Sequence, residues 1–381
     1  MIYATCKKGD TIFVQRNAHK SVFHAIQLVG AKPVYLAPQW DEHTNSAGAV
    51  PFETVKEALK RHPEGKAIVL TYPTYYGVVA QDLKQQIELC HAHHIPVLVD
   101  EAHGAHFTAS KRFPVSALDL GADVVVHSAH KTLPAMTMAS FMHIKSTLVS
   151  ESKINQYLRM LQSSSPSYLL LASLDDARHY ISKYMESDAV YCLEKRSQWI
   201  EALRSIPELE VIEADDPLKI CIRMPGYTGM ELKEALEESQ LYVELADMEQ
   251  VLAILPLLKH GETYPYAELR IRVKNAIAQL KTRKGSGFSH ASKQYGMAAI
   301  ITPNATFEEI EGMDKEWIPY MRAIGRIAAS MLIPYPPGIP LFVPGEKITV
   351  GKLSQLEELL AIGATFQGDH RLEERLIQVL K

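Results

Sequence analysis

Two apolar runs in this sequence end in groups that can do chemistry. Pro96-Val97-Leu98-Val99 leads into Asp100-Glu101-Ala102-His103-Gly104, and Asp123-Val124-Val125-Val126 leads into His127-Ser128-Ala129-His130-Lys131-Thr132. Asp100 and Lys131 stand 31 residues apart, about one helix-and-strand unit. Ligands of open α/β sheets bind beyond the carboxyl ends of the strands, so the two side chains should meet in one crevice. A lysine amine whose pKa is lowered by its surroundings can form a Schiff base with a carbonyl. A nearby carboxylate can keep a pyridine nitrogen protonated, which makes the ring an electron sink. The pair is therefore a donor set for pyridoxal phosphate. An ordinary ion pair or a helix cap would explain the spacing about as well, since polar residues are common in loops. The crowding of His103, His130 and Lys131 at the same edge favours the chemical reading.

The elements needed to position these groups are legible upstream and downstream. Short Val- and Ile-rich runs at 11–15, 33–36, 67–71, 96–100, 123–127 and 140–144 suit strands buried on both faces. Helical patterns at 19–30, 51–61 and 81–94 lie between them, which predicts an open α/β sheet covered by helices. A helix is expected over 148–161, a break at the Ser/Pro-rich stretch 163–167, and one longer helix from 168 to about 206. Strands at 210–212 and 219–223, with helices at 230–239 and 269–280, predict a smaller α+β unit. Residues 281–287 read as a linker. A Pro-rich turn at 333–344 and a helical tail are expected beyond it. The domains implied are 1–187, 188–285 and 286–381.

The 381 residues are 47% hydrophobic and 22% charged, with a formal net charge of -4, which describes a globular protein. That balance argues against binding nucleic acid through bulk charge. No apolar run approaches the roughly 18 residues of a membrane span, and MIYATCKKGD does not read as a secretory leader. Cys6, Cys90, Cys192 and Cys221 contain no CxxC pair and read as reduced thiols in a cytoplasmic protein.

Five ordered motifs carry a resemblance. They are Gln15-Arg16-Asn17-Ala18-His19-Lys20-Ser21, Asp100-Glu101-Ala102-His103-Gly104-Ala105-His106, Ser128-Ala129-His130-Lys131-Thr132, Leu161-Gln162-Ser163-Ser164-Ser165-Pro166-Ser167-Tyr168, and Pro336-Pro337-Gly338-Ile339-Pro340 with Pro344-Gly345-Glu346. Together they resemble the class I ornithine/lysine/arginine decarboxylases. The resemblance implies a fold type I (aspartate-aminotransferase-like) large domain with a mostly parallel sheet, a smaller α+β domain and a C-terminal domain. It implies decarboxylation of a basic amino acid with pyridoxal 5'-phosphate, a place in polyamine metabolism, and a homodimer or higher homo-oligomer. Lys131 would hold the cofactor covalently and Asp100 would pair with its ring nitrogen. His19 would stack on one ring face and Ala102 would pack on the other. His103, Ser128 and His130 would line the cofactor, and Ser164 would reach a neighbouring subunit's site. Family members carry a longer stretch before the point where this sequence starts, including a Gly/Ser/Thr turn that grips phosphate at a helix N-terminus. Weak cofactor binding, or binding helped by another chain, is the expectation for the sequence as written.

Other readings compete. His91-Ala92-His93-His94, or Asp100 with His103 and His106, could hold a metal, but both leave Lys131 unexplained. Tyr72-Pro73-Thr74-Tyr75-Tyr76-Gly77 could line the pocket or be a plain turn. Glu346 and Glu101 are candidates for reading the substrate's distal charge, although Glu101 should face away from Asp100 on a strand. A same-fold aminotransferase or carbon–sulfur lyase, and a catalytically silent chain acting by assembly, are the alternative functions.

Overall fold

The structure is a computed structural model that describes residues 1–283, 285, 298–335, 338–361 and 363–381. Its centre is a seven-stranded sheet in the order Ile300–Ile301, Lys32–Leu36, Thr11–Gln15, Ala67–Thr71, Val97–Asp100, Val124–His127, Phe141–Ile144. The four inner pairings are parallel. The two outer ones are antiparallel, so the expected strand at 140–144 runs against its neighbour. Every residue of Thr11–Gln15 is buried, because helices cover both faces and a Val/Ile run satisfies both. Two apolar clusters flank this sheet, one around Phe13, Leu59, Ile68 and Ile87, the other around Ile12, Phe23, Ile26 and Tyr35. The helix Lys20–Val29 starts at His19 and stops at Gly30, whose φ of +75° a glycine adopts at little cost.

The smaller unit is a four-stranded antiparallel sheet, Leu245–Ala246, Val251–Ile254, Lys219–Arg223, Glu210–Glu213, packed on the helices Gly229–Glu238 and Tyr266–Thr282. The expected single helix over 168–206 is two, Tyr168–Ser182 and Glu186–Arg204. The break has a local cause. Asp188 accepts from Met185 N (2.7 Å) and from His260 N (2.9 Å), which caps a fresh helix start and ties it to the small unit. Lys281 and Thr282 belong to a helix instead of a linker; residues 284, 286 and 287 of that expected linker lie outside the described residues.

Two expectations for the last region are also corrected. Residues 333–335 form a strand that pairs with 365–367, so the turn begins later; Pro336 and Pro337 lie outside the described residues. The tail ends in the strand Leu376–Leu380, paired with Lys315–Pro319, beyond the helix Val350–Ala361. Among the described residues no helix is long and apolar enough to cross a membrane.

Arg16, at the end of Thr11–Gln15, locks this region onto the large sheet. Its Nε and Nη2 each donate to the Glu346 carboxylate at 2.8 Å, and its guanidinium also reaches the carbonyls of Pro340 (2.7 Å) and Leu341 (3.2 Å). Lys352 Nζ supplies a further donor to Glu346 at 2.5 Å. Removing one partner strands a buried charge, so Arg16→Met should lower stability by about 3–5 kcal/mol in urea titration. An unchanged midpoint would show that the pair contributes nothing.

Candidate active site

Register brings three strand ends together. Thr71 lies opposite Asp100, and Asp100 lies opposite Val126, on parallel neighbours. The segments 72–77, 101–106 and 128–132 therefore all leave the sheet at one edge. The short helix Ala129–Thr132 presents Lys131 there. Lys131 Nζ donates to His103 Nε2 at 3.0 Å and sits 5.1 Å from the Tyr75 ring centre. The Tyr75 and His103 rings are 4.3 Å apart. The three tyrosines of 72–77 diverge: Tyr72 donates to the Val115 carbonyl (2.8 Å), Tyr76 to Asp247, and Tyr75 alone joins the lysine.

The electrostatics follow from burial. Burial pulls the Lys131 amine below its ordinary range, opposed by the charges of Asp100 and Glu244. Burial lifts the Asp100 carboxyl, opposed by Lys131 and by the Ala102 N–H, which donates to Asp100 Oδ1 at 3.2 Å. Asp100 and Lys131 thus lie within each other's field, and the structure brings them together. His103 is pushed well below the usual histidine range by burial, then by Lys219 and Lys131.

His19 caps the helix Lys20–Val29, its Nδ1 accepting from Ser21 N at 3.3 Å. Gly338 packs on its ring; a Cβ there would stand 3.4 Å from His19 Cδ2. Burial, then the charges of Lys131 and Lys20, lower His19 to about 4. A histidine lowered on folding contributes stability present above its unfolded value of 6.5 and lost as pH falls towards about 4. His19→Asn keeps a cap. It should flatten the fall of the urea midpoint across that window, and equal slopes for the two proteins would count against this assignment.

Ala102 follows Asp100 at the same edge, and the Ser128 side chain makes no capping bond. His130 Nδ1 donates to the Ala139 carbonyl at 2.9 Å. Ser164 is exposed on the turn after Glu151–Leu161, and no bond or ring contact among the described residues ties it to Lys131. The two carboxylates considered for substrate reading are occupied elsewhere. Glu346 holds Arg16, and Glu101 points away from Asp100, accepting from Ser116 Oγ (2.7 Å), Ala117 N (2.8 Å) and His127 Nε2 (2.5 Å). His91 pairs with Asp123 at 2.8 Å and His106 with Asp216 at 3.0 Å; among the described residues no group of three or more His, Cys, Asp or Glu is placed to hold a metal. Two participants escaped the sequence reading. Lys219 is fully buried beside the site, and Glu244 is an exposed carboxylate whose charge reaches Lys131 and Tyr75. A lysine inside the run Leu218-Lys219-Ile220-Cys221-Ile222 was the available signal for the first.

Comparison with known proteins identifies the family. Residues 1–221 match the family described as Orn/Lys/Arg decarboxylase, major domain, and residues 288–368 match its C-terminal domain. The uncharacterized protein YaaO of Bacillus subtilis is 42% identical over 388 residues, covering 100% of this chain and 79% of that protein. An arginine decarboxylase of Bacillus subtilis is 34% identical over 394 residues, with 100% and 79% covered. The crystal structure of the Francisella novicida lysine decarboxylase LdcF superposes with a TM-score of 0.77 at 20% identity, covering 100% of this chain and 67% of that one. The Escherichia coli cysteine desulfurase CsdA shares the fold over 74% of this chain and 76% of its own, with a TM-score of 0.53 at 18% identity. On the match over residues 1–221 and the similarity across the full sequence, the chain belongs to the Orn/Lys/Arg decarboxylase family.

Proposed function

We propose that this protein decarboxylates a basic amino acid (arginine, lysine or ornithine) to the amine and carbon dioxide with pyridoxal 5'-phosphate. The observation that carries the reading is a half-buried lysine amine and a half-buried carboxylate within each other's field at the ends of neighbouring parallel strands. The residues present fit the cofactor. Burial favours the free-base form of Lys131 that a Schiff base needs, and the buried Nδ1 of His103 has no partner among the described residues. The bound cofactor would supply the electron sink for the pair released from the Cα–carboxylate bond.

The chain's own residues do the rest. Lys131 Nζ would hold the cofactor and Asp100 would pair with its ring nitrogen. His19 and Ala102 would pack against the cofactor, which would fix the orientation of the breaking bond. Ser128 and His130 stand on the helix that follows the Val124–His127 strand, and their polar groups suit a phosphate. Glu244, exposed and acting on Lys131, supports a cationic substrate. Assembly as a homodimer, with Ser164 reaching the partner's site, is part of the same reading; exposed Met160, Leu161, Tyr168 and Leu169 around that turn support it. Four buried free cysteines support a reducing compartment such as the cytoplasm.

The test offers the purified chain each of the three amino acids with pyridoxal phosphate and identifies the products. Carbon dioxide and the matching amine, in equal amounts, are expected from at least one. Keto acid formation without carbon dioxide would point to amino-group transfer. No product at all, with cofactor trapped on Lys131 by borohydride, would favour a silent chain.

A further inference from the structure

Lys219 heads a strand of the small sheet and is fully buried, with Leu218, Ile220 and Cys221 beside it in the chain. A buried ammonium is costly unless it is paired and hydrogen-bonded. Its Nζ donates to the carbonyls of Tyr75 (2.8 Å) and Thr74 (3.2 Å), and the Asp216 carboxylate faces it. Asp216 accepts from His106 Nε2 (3.0 Å) and Leu218 N (3.0 Å), while its own N–H donates to the Gly77 carbonyl (2.9 Å). One turn of the small unit thus grips two segments that leave the large sheet at the site, 72–77 and 101–106. The fit is close. At Gly77, whose φ is +89°, a Cβ would stand 2.9 Å from Ala214 Cβ and 3.0 Å from Lys219 Cδ.

A latch between two units needs no charge aimed at the site, yet this one has it. The titratable groups facing His103 are Lys219, Lys131, His106 and His19, with Lys219 acting most strongly after burial. Lys131 Nζ and His103 Nε2 lie 3.0 Å apart, and an ammonium at that distance can only donate, which requires the ring nitrogen to be unprotonated. Lys219 itself is faced by Asp216, Lys131, Glu244 and Cys221.

We infer that Lys219 is a positioning residue for Lys131: it fixes the Tyr75 ring against His103 and places a positive charge beside that imidazole, so that His103 stays neutral and holds the Lys131 amine. The inference rests on Lys131 being the cofactor lysine. Burial lowers Lys219 to about 8, with Asp216 and Glu244 opposing, so the ammonium remains largely charged at neutral pH.

The experiment compares wild type, Lys219→Met and Lys219→Gln by nitrogen NMR of the His103 ring in cofactor-free protein, and by the rate of borohydride trapping of pyridoxal phosphate on Lys131. Circular dichroism checks that each variant folds. In wild type His103 should stay neutral, with its proton on Nδ1, from about pH 8 down to about pH 6. In Lys219→Met its titration should rise towards the ordinary value and trapping should slow about 10- to 100-fold. Lys219→Gln keeps a donor without the charge, so it should restore part of the trapping rate and none of the His103 shift. A protonated or Nε2–H ring in wild type overturns the inference without any variant. Folded variants with unchanged His103 titration and trapping overturn it as well. If wild type traps no cofactor, the proposed function fails, while the His103 titration still decides the role of Lys219.

Discussion

Lys131→Ala should show no borohydride-trapped adduct and lose at least about 10^3-fold in carbon dioxide release, equivalent to roughly 4 kcal/mol of barrier. The loss is that large because the amine does more than carry charge. It is a nucleophile held at the strand edge by His103, with burial lowering its pKa from the ordinary lysine value. A free amine in solution cannot replace that orientation. The fold should persist, since removing a half-buried amine also removes its desolvation cost, and thermal stability should change by about 1 kcal/mol or less. Lys219→Ala is not an equivalent control, because that amine holds two backbone carbonyls. A Lys131→Ala enzyme with near-native turnover would remove the chemical role assigned here to the Asp100 edge.

Asp100→Asn should separate activity from stability. Asparagine keeps the shape, and its oxygen can still accept the Ala102 N–H. It cannot hold a ring nitrogen in its protonated form, so a loss on the order of 10^2- to 10^3-fold is expected. Stability should move the other way. Burial raises the Asp100 carboxyl above its ordinary value, so the native state binds its proton more tightly than the unfolded chain does. The stabilising contribution of that proton is present at low pH and is lost as pH rises through the raised value. At neutral pH the charged carboxylate is therefore a burden, and the variant should be as stable as wild type or more so. The difference in urea midpoint should shrink on acidification. A variant that is both active and less stable would contradict this account on each count.

The legible part of the sequence was what local pattern controls. Val/Ile runs four or five residues long gave the inner strands, and the polar residues just after them gave Asp100, His103 and Lys131. What stayed hidden depended on distant partners. Lys219 bonds to carbonyls 144 and 145 residues away, and nothing near it in the chain says which cation it will face. Glu244 reaches the lysine only because two separate sheets meet. The helix break before Glu186 needed His260 as well as Asp188. Leu376–Leu380 has the alternating burial of a half-covered strand, a signal weaker than the helical pattern that precedes it. Glu101 was the opposite case: alternation along a strand was enough to turn it away from Asp100, and it meets His127 on the other side.

The pairing of Ile300–Ile301 with Tyr35 and Leu36 has a bearing on any attempt to trim this protein. Those two late residues shield the backbone at Tyr35 and Leu36, whose peptide groups would otherwise lie open along the rim of the sheet. A gene cut after Thr282 would strip that shield and leave the Arg16 guanidinium without Glu346. Its product would be a sticky fragment prone to self-association, so shortening the chain from this side trades away solubility before it simplifies the catalyst.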